Sequence, residues 1–390
     1  MEKLPTWLEI DLDKLAANIT WLRSQLNEGV KILHTIKADA YGHGAVQVAR
    51  ASHKLVDMFG VATVDEGLEL KGAGIDTPIL ILSPVLAKEI PQVVAAGFAI
   101  TLSSTSFAKR LSDRASDNAR TIDFHIEVDT GMGRTGLYQE EAREVIVATQ
   151  SLPGIRFAGL YTHFAASDTD PSFTRKQIES FLAFNEDMRS AGVTIPCIHS
   201  ANSGAISTMP SSQMEMVRPG LIFFGYLPSA DLSVPQIKPI MSWKSRLVQV
   251  RDVPEGRTIS YGRTFTTKRK TRMGIVPVGY GHGYPFRLSN KGMMIVKGEL
   301  APILGRVTMD LTMVDLTDHS SNPVAGDEVV LIGGQKKVSI SLHEIAEWSD
   351  ALPYEILCGI SKRVPRTYFK NGKVETYKSL LGILPSHVIE

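Results

Sequence analysis

Short apolar runs alternate with amphipathic stretches along the first 230 or so residues. A strand-like segment, Trp7 to Leu12, precedes a helical pattern from Leu12 to Leu26, for which Asp11 is a plausible N-cap. Eight further apolar runs predict β-strands at 31–36, 58–63, 78–82, 97–102, 122–128, 155–161, 194–198 and 214–218. Helical patterns lie between them, for example at 86–95, 104–115, 139–149 and 172–190. This alternation predicts an α/β fold, a (β/α)8 TIM-like barrel.

The pattern changes near Pro228, where Pro228, Pro235 and Pro239 indicate a linker. Short strand-like runs separated by turn signals follow it and predict a mostly β C-terminal domain. These runs are 242–250, 272–278, 293–296, 311–316 and 328–332, with a helix expected at 341–348. The expected organisation is an N-terminal strand, 1–11, that packs on the β domain, a barrel, 12–235, and the β domain itself, 236–390.

Composition excludes several classes of protein. The chain has 390 residues, 43% of them hydrophobic, and a formal net charge of +1 without long charged blocks, so nothing indicates nucleic acid or a membrane surface as a partner. The two cysteines and ten histidines show no metal-ligand spacing, and no metal is expected. No signal peptide or membrane span is recognisable, so a soluble cytoplasmic protein is expected.

The candidate chemistry follows the ends of the predicted barrel strands, where barrel enzymes place their active sites. Lys37 and Tyr41 follow the first strand within IKADAYGHG, whose glycines are expected to let the backbone pass close to a ligand. Four more loops contribute Arg134 in DTGMGRTG, His163 in GLYTHFA, Asn202 and Ser203 in HSANSGA, and Arg218 and Gly220 in VRPGL. We expect these five loops to converge on one rim.

These motifs resemble those of the alanine racemases, fold-type III pyridoxal phosphate enzymes built on a barrel, and the resemblance covers nearly the whole chain. It implies an isomerase that interconverts L-alanine and D-alanine on pyridoxal 5'-phosphate and supplies D-alanine for peptidoglycan. It also implies a homodimer whose active sites are shared between subunits.

The resemblance further implies individual roles. Lys37 would hold the cofactor as a Schiff base and serve as one catalytic base, and Tyr261, in ISYGRTF, would be the second base, from the other subunit. The implied cofactor-binding residues are Lys37, Tyr41, Arg134, His163, Asn202, Ser203, Arg218, Gly220 and Tyr354. Arg134 and the backbone N–H of Met309, in GRVTMD, would contact substrate. The implied entryway residues are Asp168, Tyr280, Arg287 and Arg306.

The residue types suit this chemistry. A phosphate group is bound by backbone N–H groups and hydroxyls such as those of Gly220 and Ser203. Arg218 resembles the arginine that faces the pyridine nitrogen, where a guanidinium donates a hydrogen bond and disfavours ring protonation. The weaker electron sink suits an enzyme that must return the proton. His163 and His199 are expected to orient Arg218.

One position departs from the family. The run from Ile122 to Asp129 alternates strictly between apolar and polar residues, so Glu127 is expected to point into the barrel. Many family members carry a carbamylated lysine there that holds the arginine matched by Arg134. Glu127 is therefore expected to supply the carboxylate directly, or else to pair with a different cation.

Several alternatives stay open at this point. Gly131, Gly133 and Gly136 also match a dinucleotide-binding fingerprint, although the next strand lacks its acidic residue. A pyridoxal phosphate carrier would consist of a barrel alone, and a barrel-plus-β-domain decarboxylase would have an acidic partner for the pyridine nitrogen. A racemase with another or a broader substrate range is the closest alternative.

Overall fold

The structure is a computed structural model that describes residues 4–229, 231–232 and 234–385. The chain forms two compact units. One contains Leu15–Ala40 and Ala45–Lys238, and the other contains the chain up to Lys14, the short segment Tyr41–Gly44 and the chain from Pro239 onward. The expected boundaries, after residues 11 and 235, lie within three residues of these, and no sequence signal indicated the excursion at Tyr41–Gly44.

The first unit is a closed barrel of eight parallel strands, each paired with its neighbours in chain order, with the last paired to the first. The strands are Lys31–Thr35, Met58–Val61, Ile79–Ile81, Ala99–Thr101, Ile122–Glu127, Ile155–Tyr161, Ile198–His199 and Met216–Val217. The helices are Ala45–Ser52, Val64–Gly72, Ile90–Ala96, Thr105–Asp117, Gln139–Thr149, Pro171–Ser190 and Ser203–Thr208. Each of the eight predicted runs overlaps a strand, because parallel strands buried on both faces read as continuous apolar segments. The run predicted at 194–198 overlaps its strand only at Ile198, so most of that range is wrong.

The barrel interior contains a polar layer. Within Ile122–Glu127, the side chains of His125 and Glu127 are buried, whereas Asp123 forms an ion pair with Arg156 at the protein surface. His125 hydrogen-bonds His199, whose strand is not adjacent to its own in the sheet order. The contact therefore crosses the barrel interior. The prediction that the side chain of Glu127 is buried inside the barrel is confirmed.

The second unit is mostly β. Its largest sheet is built around the strand Thr6–Asp11, which pairs antiparallel with Met241–Arg246 and parallel with Arg366–Lys370. The other strands of the unit are Gln249–Val253, Thr258–Ile259, Phe265–Thr266, Thr271–Val276, Met293–Val296, Glu299–Pro302, Thr312–Asp315, Glu328–Gln335, Val338–Ile340, Lys373–Ser379 and Gly382–Pro385. Its helices are Leu342–Ser349 and Pro353–Gly359, and Leu12–Gln25 begins here with Asp11 as its N-cap, as expected.

The single strand predicted over 242–250 is wrong. Met241–Arg246 and Gln249–Val253 belong to different sheets. Between them, Leu247 is buried and Val248 is about half exposed, and the backbone N–H of Leu247 donates to Asp327. The sequence did not indicate this break, because Leu247 and Val248 are both apolar and continue the apolar run. An apolar run does not show whether its two halves pair in the same sheet. In the described part of the chain, no helix has both the length and the apolar character that crossing a membrane requires.

Candidate active site

The loop after the first barrel strand has an unusual backbone. Ala38, Asp39 and Ala40 all lie in the left-handed helical region, with φ of 52–54°, and Tyr41 continues this turn with φ of 52°. L-residues disfavour this conformation by about 1–2 kcal/mol each. Two carboxylates brace the turn, since Glu66 accepts the N–H of Ala38 and Asp39 accepts the N–H of Ala45. The turn follows Lys37 directly, so the strained segment adjoins the expected cofactor lysine.

In the second unit, the segment Tyr41–Gly44 is held by residues near the C-terminus. The buried guanidinium of Arg366 donates to the carbonyl of Gly42, and the hydroxyl of Tyr368 donates to the carbonyl of His43. A Cβ on Gly42 would lie 2.2 Å from the carbonyl oxygen of Leu357. Gly42 therefore makes room for the chain itself. The expectation that these glycines let the backbone pass close to a ligand stays a prediction.

Tyr41 and Tyr354 face each other in the same unit. Their ring centroids are 6.0 Å apart, and Tyr354 is the second residue of the helix Pro353–Gly359. Burial, the nearby Tyr354 and the Cys358 thiol together raise the pKa of Tyr41 well above the usual value, in that order of size. The phenol of Tyr41 therefore stays protonated at neutral pH and can donate a hydrogen bond.

Arg218 is the buried centre of the rim in the barrel unit. One terminal nitrogen donates to Nδ1 of His199 at 2.8 Å. The other donates to the carbonyls of Thr162 and Ser200 at 2.7 and 3.1 Å and approaches Nδ1 of His163 at 3.3 Å. The Nε–H of Arg218 donates to no residue that the structure describes, so this buried guanidinium can donate from Nε to a ligand.

The histidines around Arg218 are held neutral. Burial is the main cause that lowers the pKa of His163 well below its usual value, and the charges of Arg218, Arg134 and Lys37 act in the same direction. Burial and then Arg218 also lower the pKa of His199. Since a guanidinium has no acceptor, Nδ1 of each histidine must accept from Arg218, and each ring carries its proton on Nε2. The expected orienting role of both residues agrees with this geometry.

A second group of donors lies beside Arg218. The hydroxyl oxygen of Ser203, at the start of the short helix Ser203–Thr208, accepts the N–H groups of Gly220 and Ile222 at 3.0 and 3.3 Å. The side chain of Asn202 caps that helix by accepting the N–H of Ala205 at 3.0 Å. Backbone N–H groups and a hydroxyl therefore converge at one point of the rim, which is the donor set that a phosphate group needs.

The loop after the fifth strand wraps around Asp129, whose carboxylate accepts the N–H groups of Gly131, Met132 and Gly133. This turn leaves Arg134 exposed at the rim, close enough to lower the pKa of His163. Buried Glu127 accepts the hydroxyl of Thr135 at 2.7 Å. Among the described residues, no ion pair joins Glu127 to Arg134, so the expected direct pairing is not present.

Tyr261 and Met309 lie in the β unit on one exposed face. They line a groove of about 560 Å³ together with Tyr280, Thr308, Asp310 and Leu311. Tyr261 is 73% exposed and follows Ser260, whose backbone has φ of 66° and ψ of 179°. The N–H of Met309 donates to no acceptor within the residues that the structure describes, and it is thus available to a carboxylate.

The expected entryway residues fall in both units. Tyr280 lines the same groove as Tyr261, and the guanidinium of Arg306 lies 6.0 Å from the ring centre of Phe286 and against Gly262. Arg287 forms an ion pair with Asp350 at 2.9 Å. Asp168 lies in the barrel unit, in the loop that follows Ile155–Tyr161.

The barrel unit thus gathers Lys37, Arg134, His163, Asn202, Ser203, Arg218 and Gly220 on loops at one rim, and the β unit holds Tyr41, Tyr261, Met309 and Tyr354. Sequence reasoning missed two neighbours of Arg218. The ring of Tyr161 lies 4.9 Å from its guanidinium, and His125 contacts it through His199. The available signal was the alternation that places His125 on the same strand face as Glu127.

Comparisons with known proteins identify the arrangement. Residues 10–228 match the model of the alanine racemase N-terminal domain, and residues 240–368 match that of the C-terminal domain. An alanine racemase of Halothermothrix orenii is 42% identical over 93% of this chain and 97% of its own length. The chain belongs to the alanine racemase family. Family membership confirms the expected fold class and the enzyme class, an amino acid isomerase.

Solved alanine racemase structures agree with this assignment. The enzyme of Clostridium difficile 630 superposes with a TM-score of 0.90 at 35% identity, over 97% of this chain and 99% of that one. The enzyme of Bacillus anthracis, described with bound L-Ala-P, has a TM-score of 0.89 at 32% identity, over 99% of both chains. Membership also removes the dinucleotide-binding, carrier and decarboxylase alternatives.

Proposed function

We propose that this alanine racemase interconverts L-alanine and D-alanine on pyridoxal 5'-phosphate, with Lys37 and Tyr261 moving protons on opposite faces of the substrate's α-carbon. The observation that carries the proposal is the buried Arg218, with its free Nε–H, beside the donors around Ser203. In a bacterium with a peptidoglycan wall, the D-alanine would serve cell-wall synthesis.

The residues present fit the cofactor. The hydroxyl of Ser203 and the N–H groups of Gly220 and Ile222 would bind the phosphate, with Asn202 fixing the helix start beside them. The phenols of Tyr41 and Tyr354 would add donors. Lys37 would hold the cofactor covalently. When bound, pyridoxal phosphate withdraws electrons from the substrate's α-carbon and so makes its hydrogen acidic.

Arg218 would donate its free N–H to the pyridine nitrogen. A guanidinium does not release its proton at physiological pH, so Arg218 supplies a hydrogen bond without protonating the ring. His163 and His199 restrict the guanidinium from two sides, at 3.3 and 2.8 Å. Arg134, exposed on its loop, would bind the cofactor's phenolic oxygen and the substrate.

The two bases would act in turn. Lys37 would remove or return a proton on one face, and Tyr261 would do so on the other. The unbonded N–H of Met309 would bind the substrate carboxylate and so fix which bond faces each base. Because Met309 and Tyr261 line the same groove, one movement of substrate would affect both contacts.

We further propose that the enzyme is a homodimer and that Tyr261 acts in the partner's active site. The face that carries it exposes Tyr261, Tyr280, Met309 and Leu311 by 39–73%. Contiguous exposure of large apolar side chains is uncommon on a protein that works as a monomer. A second copy that covers this face would bury them and complete the site.

The proposal predicts a yellow protein as purified, with visible absorbance that borohydride removes and a reduced adduct at Lys37. Lys37→Ala should abolish racemisation in both directions, and Lys71→Ala, on an exposed helix of the same unit, should leave it unchanged. A colourless protein that neither binds added cofactor nor racemises alanine would refute the proposal. Racemisation of serine at a comparable rate would instead indicate the broader substrate range.

A further inference from the structure

A buried histidine with no expected role lies behind the residues that orient Arg218. His125 is 3% exposed, and its Nδ1 lies 2.9 Å from Nε2 of His199. This is the only hydrogen bond that the side chain of His125 makes with the part of the chain that the structure describes. His199 in turn lies between His125 and Arg218, so three buried side chains form one row across the barrel.

The direction of every hydrogen bond in this row is fixed by Arg218. A guanidinium can only donate, so Nδ1 of His199 accepts, and the neutral ring of His199 carries its proton on Nε2. That N–H needs an acceptor inside the barrel, and Nδ1 of His125 is the atom that faces it. His125 must therefore be neutral at Nδ1, with its own proton on Nε2.

The backbone around His125 is shaped for this ring. The register between Ile122–Glu127 and Ile155–Tyr161 shifts between Phe124 and His125, which is the signature of a β-bulge. Gly159 lies opposite, where a Cβ would come within 2.5 Å of Nδ1 and 2.7 Å of Cε1 of the imidazole. Any larger residue at position 159 would displace His125 from His199.

We infer that His125 is a positioning residue for the racemase site: by accepting the Nε2–H of His199, it holds His199 in the tautomer that accepts from Arg218. The inference rests on the proposed function of Arg218. Without His125, the N–H of His199 would be buried and unsatisfied, or the ring would change tautomer and present a second donor to Arg218. In either case the guanidinium would lose its fixed orientation.

The direct test is nitrogen NMR of the full-length protein labelled with ¹⁵N-histidine, as purified and again after cofactor removal. Protonated and bare ring nitrogens resonate far apart, and His199 is assigned by the signal that disappears in His199→Gln. We expect His199 to be protonated on Nε2 and bare on Nδ1, and His125 to be protonated on Nε2. A proton on Nδ1 of His199 would overturn the inference, whatever the protein's activity.

Matched variants separate positioning from simple filling of the barrel. His125→Asn keeps an acceptor oxygen near the place of Nδ1, whereas His125→Leu fills similar space without one. We expect the Leu variant to lose the single His199 tautomer and about 10- to 100-fold in kcat/KM, the effect of a buried donor left without its acceptor. The Asn variant should keep the tautomer and lie within about threefold of wild type.

Gly159→Ala provides a third measurement, because it deletes no polar group but should displace the His125 ring. It should reproduce the loss of kcat/KM and of the single His199 tautomer expected for His125→Leu. If the Leu variant does not fold, the Asn and Gly159 variants and the wild-type spectrum still decide. A Leu variant with the wild-type tautomer and wild-type kcat/KM would overturn the inference. A protein without cofactor or racemase activity would refute the proposed function, while the tautomer of His199 would still test the role of His125.

Discussion

At the scale of single residues, backbone strain lies beside both proposed bases. Ser260 precedes Tyr261 with φ of 66° and ψ of 179°, a region that is nearly reserved for glycine. Its hydroxyl donates to the carbonyl of Arg306 at 2.6 Å, and this bond holds the strained residue in place. The strain is therefore coupled to the orientation of the tyrosine that follows.

Two substitutions of Ser260 should separate strain from hydrogen bonding. Both Ser260→Gly and Ser260→Ala lose the bond to Arg306, but only the glycine relieves the backbone. We expect the glycine variant to be the more stable by about 0.5–2 kcal/mol in urea unfolding. We also expect it to be the less active, because Tyr261 would gain freedom. A more stable alanine variant would contradict the strain.

Glu127 pairs with Thr135 and not with Arg134, the partner expected from the sequence. The carboxylate is buried as expected, but its partner is a hydroxyl from the loop that carries Arg134. Glu127 thus tethers the residue next to Arg134 rather than Arg134 itself. An effect of Glu127 on catalysis stays a prediction. Glu127 would act by fixing the loop that carries Thr135 and Arg134.

At the scale of elements, the left-handed turn after Lys37 should respond to glycine in the opposite sense to an ordinary helix. Ala38 is exposed and lies at φ 54° and ψ 52°. Ala38→Gly therefore removes a strained Cβ but keeps the backbone N–H that donates to the Glu66 carboxylate. We expect the free energy of unfolding to rise by about 0.5–1 kcal/mol, measured with urea.

The matched control is Ala183→Gly, at an exposed position within the right-handed helix Pro171–Ser190. Glycine there should lower stability by about 0.5–1 kcal/mol. The same change of side chain would thus have opposite signs in the two elements. If both variants are destabilised equally, the turn after Lys37 is not left-handed in solution.

These elements differ in how far sequence could predict them. The eight barrel strands were predictable because burial on both faces leaves a continuous apolar run. The turn after Lys37 was not, because Ala38, Asp39 and Ala40 include no glycine to indicate a left-handed backbone. The contact between His199 and His125 was also hidden, since it joins strands that are distant in sequence and not adjacent in the sheet.

At the scale of the whole molecule, the buried histidines should make stability depend on pH. Burial, partly opposed by Asp123, lowers the pKa of His125 from 6.5 to about 4, and the pKa values of His163 and His199 are lowered as well. Below about pH 6.5 the unfolded chain binds protons that the folded chain does not. The free energy of unfolding should thus have its full value above that pH and should fall as the pH approaches 4.

Within this pH range, each of the three histidines changes the free energy of unfolding by up to about 1.4 kcal/mol per pH unit. Urea unfolding between pH 5 and pH 8 should show a plateau above about pH 7 and a decline below it. His125→Asn should reduce the decline, and His53→Gln, at an exposed position, should leave it unchanged. A flat profile from pH 5 to pH 8 would show that these rings are not buried in the neutral form.

The proposed sharing of active sites between subunits can be tested by mixing variant subunits. Lys37→Ala and Tyr261→Phe should each be inactive or strongly impaired alone, but a heterodimer of the two contains one intact site. After complete subunit exchange, the mixture should approach about one quarter of wild-type activity, since half of the dimers are mixed and half of their sites are intact.

Mixing Lys37→Ala with the double variant provides the control, because no combination of those subunits restores a site. No recovery in the first mixture, after exchange has been verified by mass spectrometry, would place both bases in one subunit.

The contact between Arg366 and Gly42 also has a consequence for how the protein is made. The two residues are 324 positions apart in the chain. At about 5–20 residues per second, the ribosome needs roughly 16–65 s to progress from one to the other. Throughout that interval the segment after Lys37 exists without Arg366 and Tyr368, which hold its carbonyls. The loop that carries the proposed cofactor lysine is therefore completed only after Arg366 and Tyr368 have been synthesised.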